Sequence, residues 1–149
     1  MEEFALDSGN TAWILTASAL VLLMTPGLAF FYGGMVRGKS VLNMMMMSFG
    51  ALGLVSVIWV LYGYSATFGT DIGGVIGDPL EYFGVNTITD DQSLMAAYGV
   101  PALVAVAFQA TFAIITVALI SGAVAERMKF SAWMVFAGIW VTLVYIPMA

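Results

Sequence analysis

The chain has no cysteine, no histidine and only four cations. Without cysteine there is no disulfide, no zinc–thiolate site and no thiol nucleophile. Without histidine there is no imidazole base, and the commonest metal ligand is missing. Nine carboxylates outweigh the four lysines and arginines to a net charge of −5, so a nucleic-acid backbone meets no basic footprint. Charged residues are 9% of the chain, against about 25% in soluble domains. What fills the gap is apolar: 62% of the 149 residues are hydrophobic and the mean hydropathy is +1.01. A small soluble domain still exposes a large share of its chain to water. This composition therefore requires lipid as its solvent. The opening MEEFALDSGN is acidic where a secretory signal is basic, so no cleavable signal peptide is expected.

A helix needs about 20 apolar residues to cross the hydrocarbon core. Four uncharged segments meet that length: residues 11–32, 41–68, 98–124 and 130–149. The predicted fold class is all-α, a polytopic membrane protein with four transmembrane helices. The charges orient it. Arg37 and Lys39 follow the first segment and Arg127 and Lys129 the third, accompanied by one acid, Glu126. Glu2, Glu3, Asp7, Asp71, Asp78, Glu81, Asp90 and Asp91 lie on the opposite side with no cation among them. Short basic connectors stay in the cytoplasm, so the N-terminus is expected outside, with the acidic loop 69–97. The Gly-Gly, Asp-Pro and Asp-Asp pairs of that loop signal turns. Its five acids show no calcium-loop spacing, so a solvated acidic loop is expected, with no metal site and no cofactor. The last segment stops at TLVYIPMA with no interfacial flank, and a longer natural chain is expected.

One motif argues otherwise. Residues 33–40, GGMVRGKS, satisfy the phosphate-loop pattern G-x-x-x-x-G-K-S. A phosphate loop needs a buried strand before it and a soluble sheet around it. Here an apolar helix-length run precedes the motif and another follows. No nucleotide is therefore expected at Gly33–Ser40. The glycines permit a tight turn, and the cations anchor it on the inside.

Within the third segment, Phe108, Phe112, Ile115 and Leu119 recur at helical spacing and share one face. Gln109 lies beside them. Such a stripe packs against neighbouring helices or lipid, or it forms an aromatic mouth whose ring faces attract a small cation. Spacing alone does not separate the two. Pro26 lies inside the first segment, where a kink is the default. Gly27, Gly33 and Gly34, with Ala118 and Gly122, suggest close helix contacts. Met44 to Met47 point to four helix faces and read as packing. Ser65 and Thr67 could line a vestibule or lie exposed. No charged residue falls inside any segment, so a hydrated cation crossing here meets a desolvation cost of at least about 2.5–3.5 kcal/mol. A species that loses its charge on entry does not.

The blocks TPGLAFFYGGMVRGKSVLN, WVLYGYSATFG, AFQATFAIITVALISGAVAERMKFSAW and WVTLVYIPMA resemble, in collinear order, the opening of the ammonium transporter family, the permeases of ammonium and methylammonium to which Rhesus proteins are related. The resemblance covers residues 11–149. It implies an eleven-helix fold built on an inverted repeat, of which this sequence supplies the first four helices. It also implies a homotrimer with one pore per chain in the plasma membrane, lipid on its outer faces, and a PII-type signal protein as a possible cytoplasmic partner. By matching positions, Phe108 resembles the vestibule aromatic that recruits ammonium. Phe112 resembles the first of two stacked gate phenylalanines, and Leu28, Phe31 and Leu119 resemble pore-lining positions. The family's paired pore histidines are absent from this sequence. The leading expectation is transport of ammonium or ammonia, with no enzymatic activity. The alternatives are a stand-alone four-helix subunit of a membrane complex and a nucleotide-binding enzyme using Lys39.

Overall fold

The computed structural model of the protein describes residues 4–149. Glu2 and Glu3, which the charge reading places on the outer side, lie outside the described residues. Among the described residues four helices are long and apolar enough to cross a membrane: α1 (Ser8–Met35), α2 (Gly38–Phe68), α3 (Ala102–Val124) and α4 (Phe130–Met148). Each starts where local chemistry supplies a cap or a break. Asp7 caps α1, its side chain accepting from the Asn10 amide at 2.8 Å. A carboxylate here satisfies an orphan amide and meets the positive end of the helix dipole. Pro26 lies inside α1, which remains one helix across it. Val36 then turns extended (φ −98°, ψ 166°) and stops the helix.

Helix α2 opens with a 3-10 turn at Gly38–Ser40 and carries a π turn at Trp59–Gly63. Helix α4 carries a second π turn at Val141–Tyr145. Helix α3 begins at Ala102, later than the 98 read from the sequence. Gly99 is left-handed (φ 68°) and Pro101 is extended (ψ 148°), so the apolar run continues while the backbone stays out of the helix.

Helix α3 packs against both α1 and α2, and α4 packs on α2. The core runs between them: Met47, Ala51, Val55 and Trp59 of α2, Val106, Ala113, Ile114, Val117 and Ala118 of α3, and Trp133, Ala137 and Val141 of α4. Helix α1 fully buries only Thr25, Ala29 and Gly33, rests Val21 and Leu28 against the core, and leaves much of its remaining surface exposed. Lipid tails are as apolar as leucine, so close packing and interhelical hydrogen bonds must hold these helices together. Two indoles show how: Trp59 Nε1 donates to the Val106 carbonyl (3.2 Å) and Trp133 Nε1 to the Met47 carbonyl (2.9 Å), both buried.

The small residues divide differently from the expectation. Gly33 and Gly122 are close contacts, against Met45 and Tyr32, whereas Gly27 and Gly34 face open space. The four methionines diverge as read: Met44 and Met47 are buried, Met45 is half-buried and Met46 is exposed.

The connector between α2 and α3 is folded. A two-stranded antiparallel hairpin, β1 (Asp71–Ile72) and β2 (Ile76–Gly77), pairs Asp71 with Gly77 and Ile72 with Ile76. Gly73 and Gly74 make its turn with φ of 70° and 73°, the positive values that a tight hairpin requires. Carboxylates order the remainder. Asp71 accepts from the Gly74 amide (3.0 Å), Asp78 from Leu80 (2.9 Å), Glu81 from Thr70, and Asp90 from Ala102 at the head of α3 (2.8 Å). The acids read as a solvated loop thus serve largely as caps for backbone amides. Ser65, read as a vestibule or surface residue, is neither. It is buried at the end of α2, donates to the Asp78 carbonyl (2.5 Å) and accepts from the Tyr82 amide (2.9 Å), so it fastens the loop to the helix.

Candidate functional site

The bundle has an acidic end and a basic end. At the acidic end Asp7 and the folded connector meet: the Asp7 amide donates to the Gly99 carbonyl (3.0 Å), and the Asn10 side chain to that of Tyr98 (2.9 Å). Glu81 accepts from Thr70 within this connector. Its hydrogen bonds from Thr70, the backbone amide first, lower its pKa below the usual 4.5. Burial raises that of Tyr82, and the adjacent Glu81 carboxylate adds to the effect. Among the described residues no cluster of three or more His, Cys, Asp or Glu could hold a metal ion.

At the basic end the phosphate-loop pattern has no phosphate-loop shape. Gly33 and Gly34 belong to the last turn of α1, Val36 and Arg37 are extended, and Gly38–Ser40 is the 3-10 turn that enters α2. Arg37 turns instead to Glu126 of the facing connector. Its backbone amide donates to Glu126 Oε1 (3.1 Å), and its guanidinium Nε lies 3.7 Å from the same atom. Lys39 is exposed.

Between the ends runs a face of α3 with no charge on it. Phe108 and Phe112 are one helical turn apart, and their rings meet edge to face with centroids 5.0 Å apart at 81°. Edge-to-face contact is the arrangement that ring quadrupoles favour. Phe108 is half-buried, whereas Phe112 and Leu119 are 38% and 51% exposed. Ile115, read onto the same stripe, falls on its buried edge and joins the core.

On α1, Leu28 is half-buried against the core and Phe31 is 61% exposed. What links this end of α1 to Leu119 is Tyr32, the residue after Phe31. The rings of Phe31 and Tyr32 are 5.9 Å apart, and the Tyr32 hydroxyl donates to the Leu119 carbonyl at 3.0 Å. Tyr32, Met35, Val36, Gly122, Ala125 and Glu126 then line a cavity of about 320 Å³ at the basic end. Among the sequence-predicted site residues the structure brings together one pair, Phe108 with Phe112; Leu119 meets α1 through its carbonyl, which Tyr32 rather than Phe31 binds. Sequence reasoning missed Tyr32 and Trp59, both of which tie a neighbouring helix to α3. Their partners are backbone carbonyls, which leave no signature in a sequence.

Such an arrangement defines a multi-pass α-helical membrane protein whose third helix presents an uncharged, aromatic-lined face. The profile of the Ammonium Transporter Family matches residues 12–149, and the chain belongs to that family. The ammonium transporter of Mycobacterium bovis is 60% identical over 96% of this chain and 33% of its own length. That of Aquifex aeolicus is 52% identical over 99% and 34%. Among solved structures, Saccharomyces cerevisiae Mep2 superposes with a TM-score of 0.81 at 32% identity, covering 97% of this chain and 32% of that one. Candida albicans Mep2 gives 0.79 at 33%, covering 95% and 30%. The chain spans about a third of the length of the curated relatives it matches.

Proposed function

We propose that this chain carries the recruitment and first gate positions of an ammonium transporter and works together with further helices of the same protein. The observation that carries the reading is the Phe108–Phe112 pair on the uncharged face of α3, in a chain of this family. Phe108, nearer the acidic end, offers a ring to an arriving ammonium ion, an attraction of about 0.5–2 kcal/mol. Phe112, one turn deeper, bars the hydrated ion. Below it Leu28, Phe31 and Leu119 offer only apolar contact, which favours ammonia over a cation that would have to shed its water. The acidic end faces outside and the basic end the cytoplasm, since short basic connectors are retained there. The setting is the plasma membrane, the assembly a homotrimer, and the cytoplasmic face the side a PII-type protein would meet.

The test is Phe112→Ala in the protein at its full natural length, in cells with no ammonium uptake of their own. Ammonium and methylammonium differ by one methyl group, and an apolar constriction discriminates such a difference by about tenfold or more. The ratio of ammonium to methylammonium transport should therefore shift by about that factor, with abundance unchanged because Phe112 stands outside the core. Uptake and selectivity identical to the unsubstituted protein would remove Phe112 from the gate.

A further inference from the structure

We propose that Trp59 of α2 is a positioning residue for the Phe108–Phe112 pair: its indole N–H fixes the rotation and depth of α3 by gripping the Val106 carbonyl. The inference rests on the functional reading of that pair given above. Trp59 is 1% exposed, and its Nε1 lies 3.2 Å from the Val106 oxygen. That carbonyl is one the helix also uses for its own ladder, so the indole reads the backbone of α3 without depending on any side chain there. Val106 and Phe108 are two residues apart, about 200° around the helix. Trp59 thus holds the back of α3 at the level where Phe108 and Phe112 project from the front.

Three features make the grip specific to this level. Trp59 is the first residue of the π turn Trp59–Gly63, and the extra residue of such a turn re-aims the side chains around it. The indole is clamped edge-on by Tyr145, within the π turn of α4, at 6.2 Å and by Phe68 at 6.3 Å. And an indole N–H in a membrane interior has no water to fall back on, so a lost partner is felt as a shift of the helix. Trp133 provides an internal control. It is as buried, makes the same kind of bond, and grips the Met47 carbonyl of α2 rather than α3.

The experiment uses the protein at full natural length in cells lacking ammonium uptake. Initial methylammonium uptake is measured against concentration and corrected for abundance in the membrane. Trp59→Phe removes the donor. The bicyclic isostere benzothienylalanine, placed at 59 by codon suppression, removes the N–H while keeping the shape, and it decides the matter if Trp59→Phe accumulates poorly. Either is expected to raise the apparent KM by about fivefold, the worth of one net hydrogen bond, with corrected Vmax within about twofold. Trp133→Phe is expected to lower abundance and leave KM unchanged. If both Trp59 replacements also leave KM at the unsubstituted value, Trp59 is a packing residue and the inference falls. Phe108→Ala is run alongside: if it fails to raise KM, the recruitment reading itself is wrong, whatever Trp59 does.

Discussion

At the acidic end of the bundle, a long connector is folded onto the helix ends by directional bonds; at the basic end, two short turns close the helices with few. Asp71, Asp78, Glu81 and Asp90 each take a backbone amide at the first end, and Ser65 holds two points of the loop, Asp78 and Tyr82, at once. The second end has the Arg37–Glu126 contact, the Tyr32 hydroxyl on Leu119, and the Asn43 amide donating to the Met128 carbonyl at 3.3 Å. The difference follows from what each end must satisfy. A long connector leaves many backbone groups without helical partners, and each must be paired or hydrated. Short turns leave few. Of their cations, Arg37 pairs with Glu126, and Lys39, Arg127 and Lys129 stand exposed.

If the acidic end is the more tightly determined, the most damaging small change should lie there. Gly99 has a φ of 68°, and a Cβ on it would stand 2.5 Å from the Ala5 carbonyl and 2.7 Å from the Asp7 amide. Both obstacles are backbone and neither can swing aside. Gly99→Ala should cost about 2–5 kcal/mol, the left-handed penalty plus the clash, read as the loss in unfolding free energy of the full-length protein in detergent micelles. A loss below about 1 kcal/mol would show that the junction of Asp7 with the connector gives way easily, and the comparison would collapse.

The matching change at the basic end is Gly122→Ala. Its Cβ would lie 2.6 Å from Cζ and 2.8 Å from the hydroxyl of Tyr32. Here the obstacle is a side chain at the rim of an open cavity, so it can rotate away at the expense of its bond to Leu119. About 1–2 kcal/mol is expected in the same assay. Combining the change with Tyr32→Ala should cost less than the sum of the two single variants, because the second removes the obstacle created by the first. Strict additivity would mean that Gly122 and Tyr32 do not press on one another.

These two glycines also mark how far the sequence could be read. The spans were legible because apolar length and the placement of Arg37, Lys39, Arg127 and Lys129 are properties of the chain alone. The pairing of Phe108 with Phe112 was legible because helical spacing puts them one turn apart. The late start of α3 was not: the run through Tyr98 and Val100 is apolar, and only the left-handed Gly99 and extended Pro101 keep it out of the helix. Nor was the sorting of the glycines, since Gly27 and Gly33 have equal claims until a neighbouring helix is placed against one of them. Ser65 failed for a related reason. Its partners, Asp78 and Tyr82, lie 13 and 17 residues away across a loop whose path the composition does not encode. The start of α3 turned on local backbone angles, the glycines on neighbouring side chains, and Ser65 on distant backbone groups.

The smallest effect expected separates the two ends by pH. Glu81 accepts from the Thr70 amide, and its pKa is lowered below the ordinary 4.5 by that bond first and by the Thr70 side chain second. A depressed carboxylate contributes its stabilisation above its unfolded pKa and loses it as pH falls through the folded value. The connector should therefore be fully held at neutral pH and should loosen only below about 4.5, where the carboxylate begins to take up protons. Amide exchange at Thr70, corrected for its intrinsic pH dependence, reads this directly: protection should be flat from neutral pH down to that range and then fall. Glu81→Gln keeps an acceptor oxygen but does not titrate, so it should remove the pH step and leave the remaining protection in place. Exchange at Ser40, whose amide rests on the Arg37 carbonyl (2.8 Å) at the other end and so on a group that does not titrate, supplies the reference in the same sample. Should Thr70 protection fall with acid in Glu81→Gln as it does in the unsubstituted protein, the step would belong to another carboxylate of the connector, and the acidic end would be held less locally than its geometry indicates.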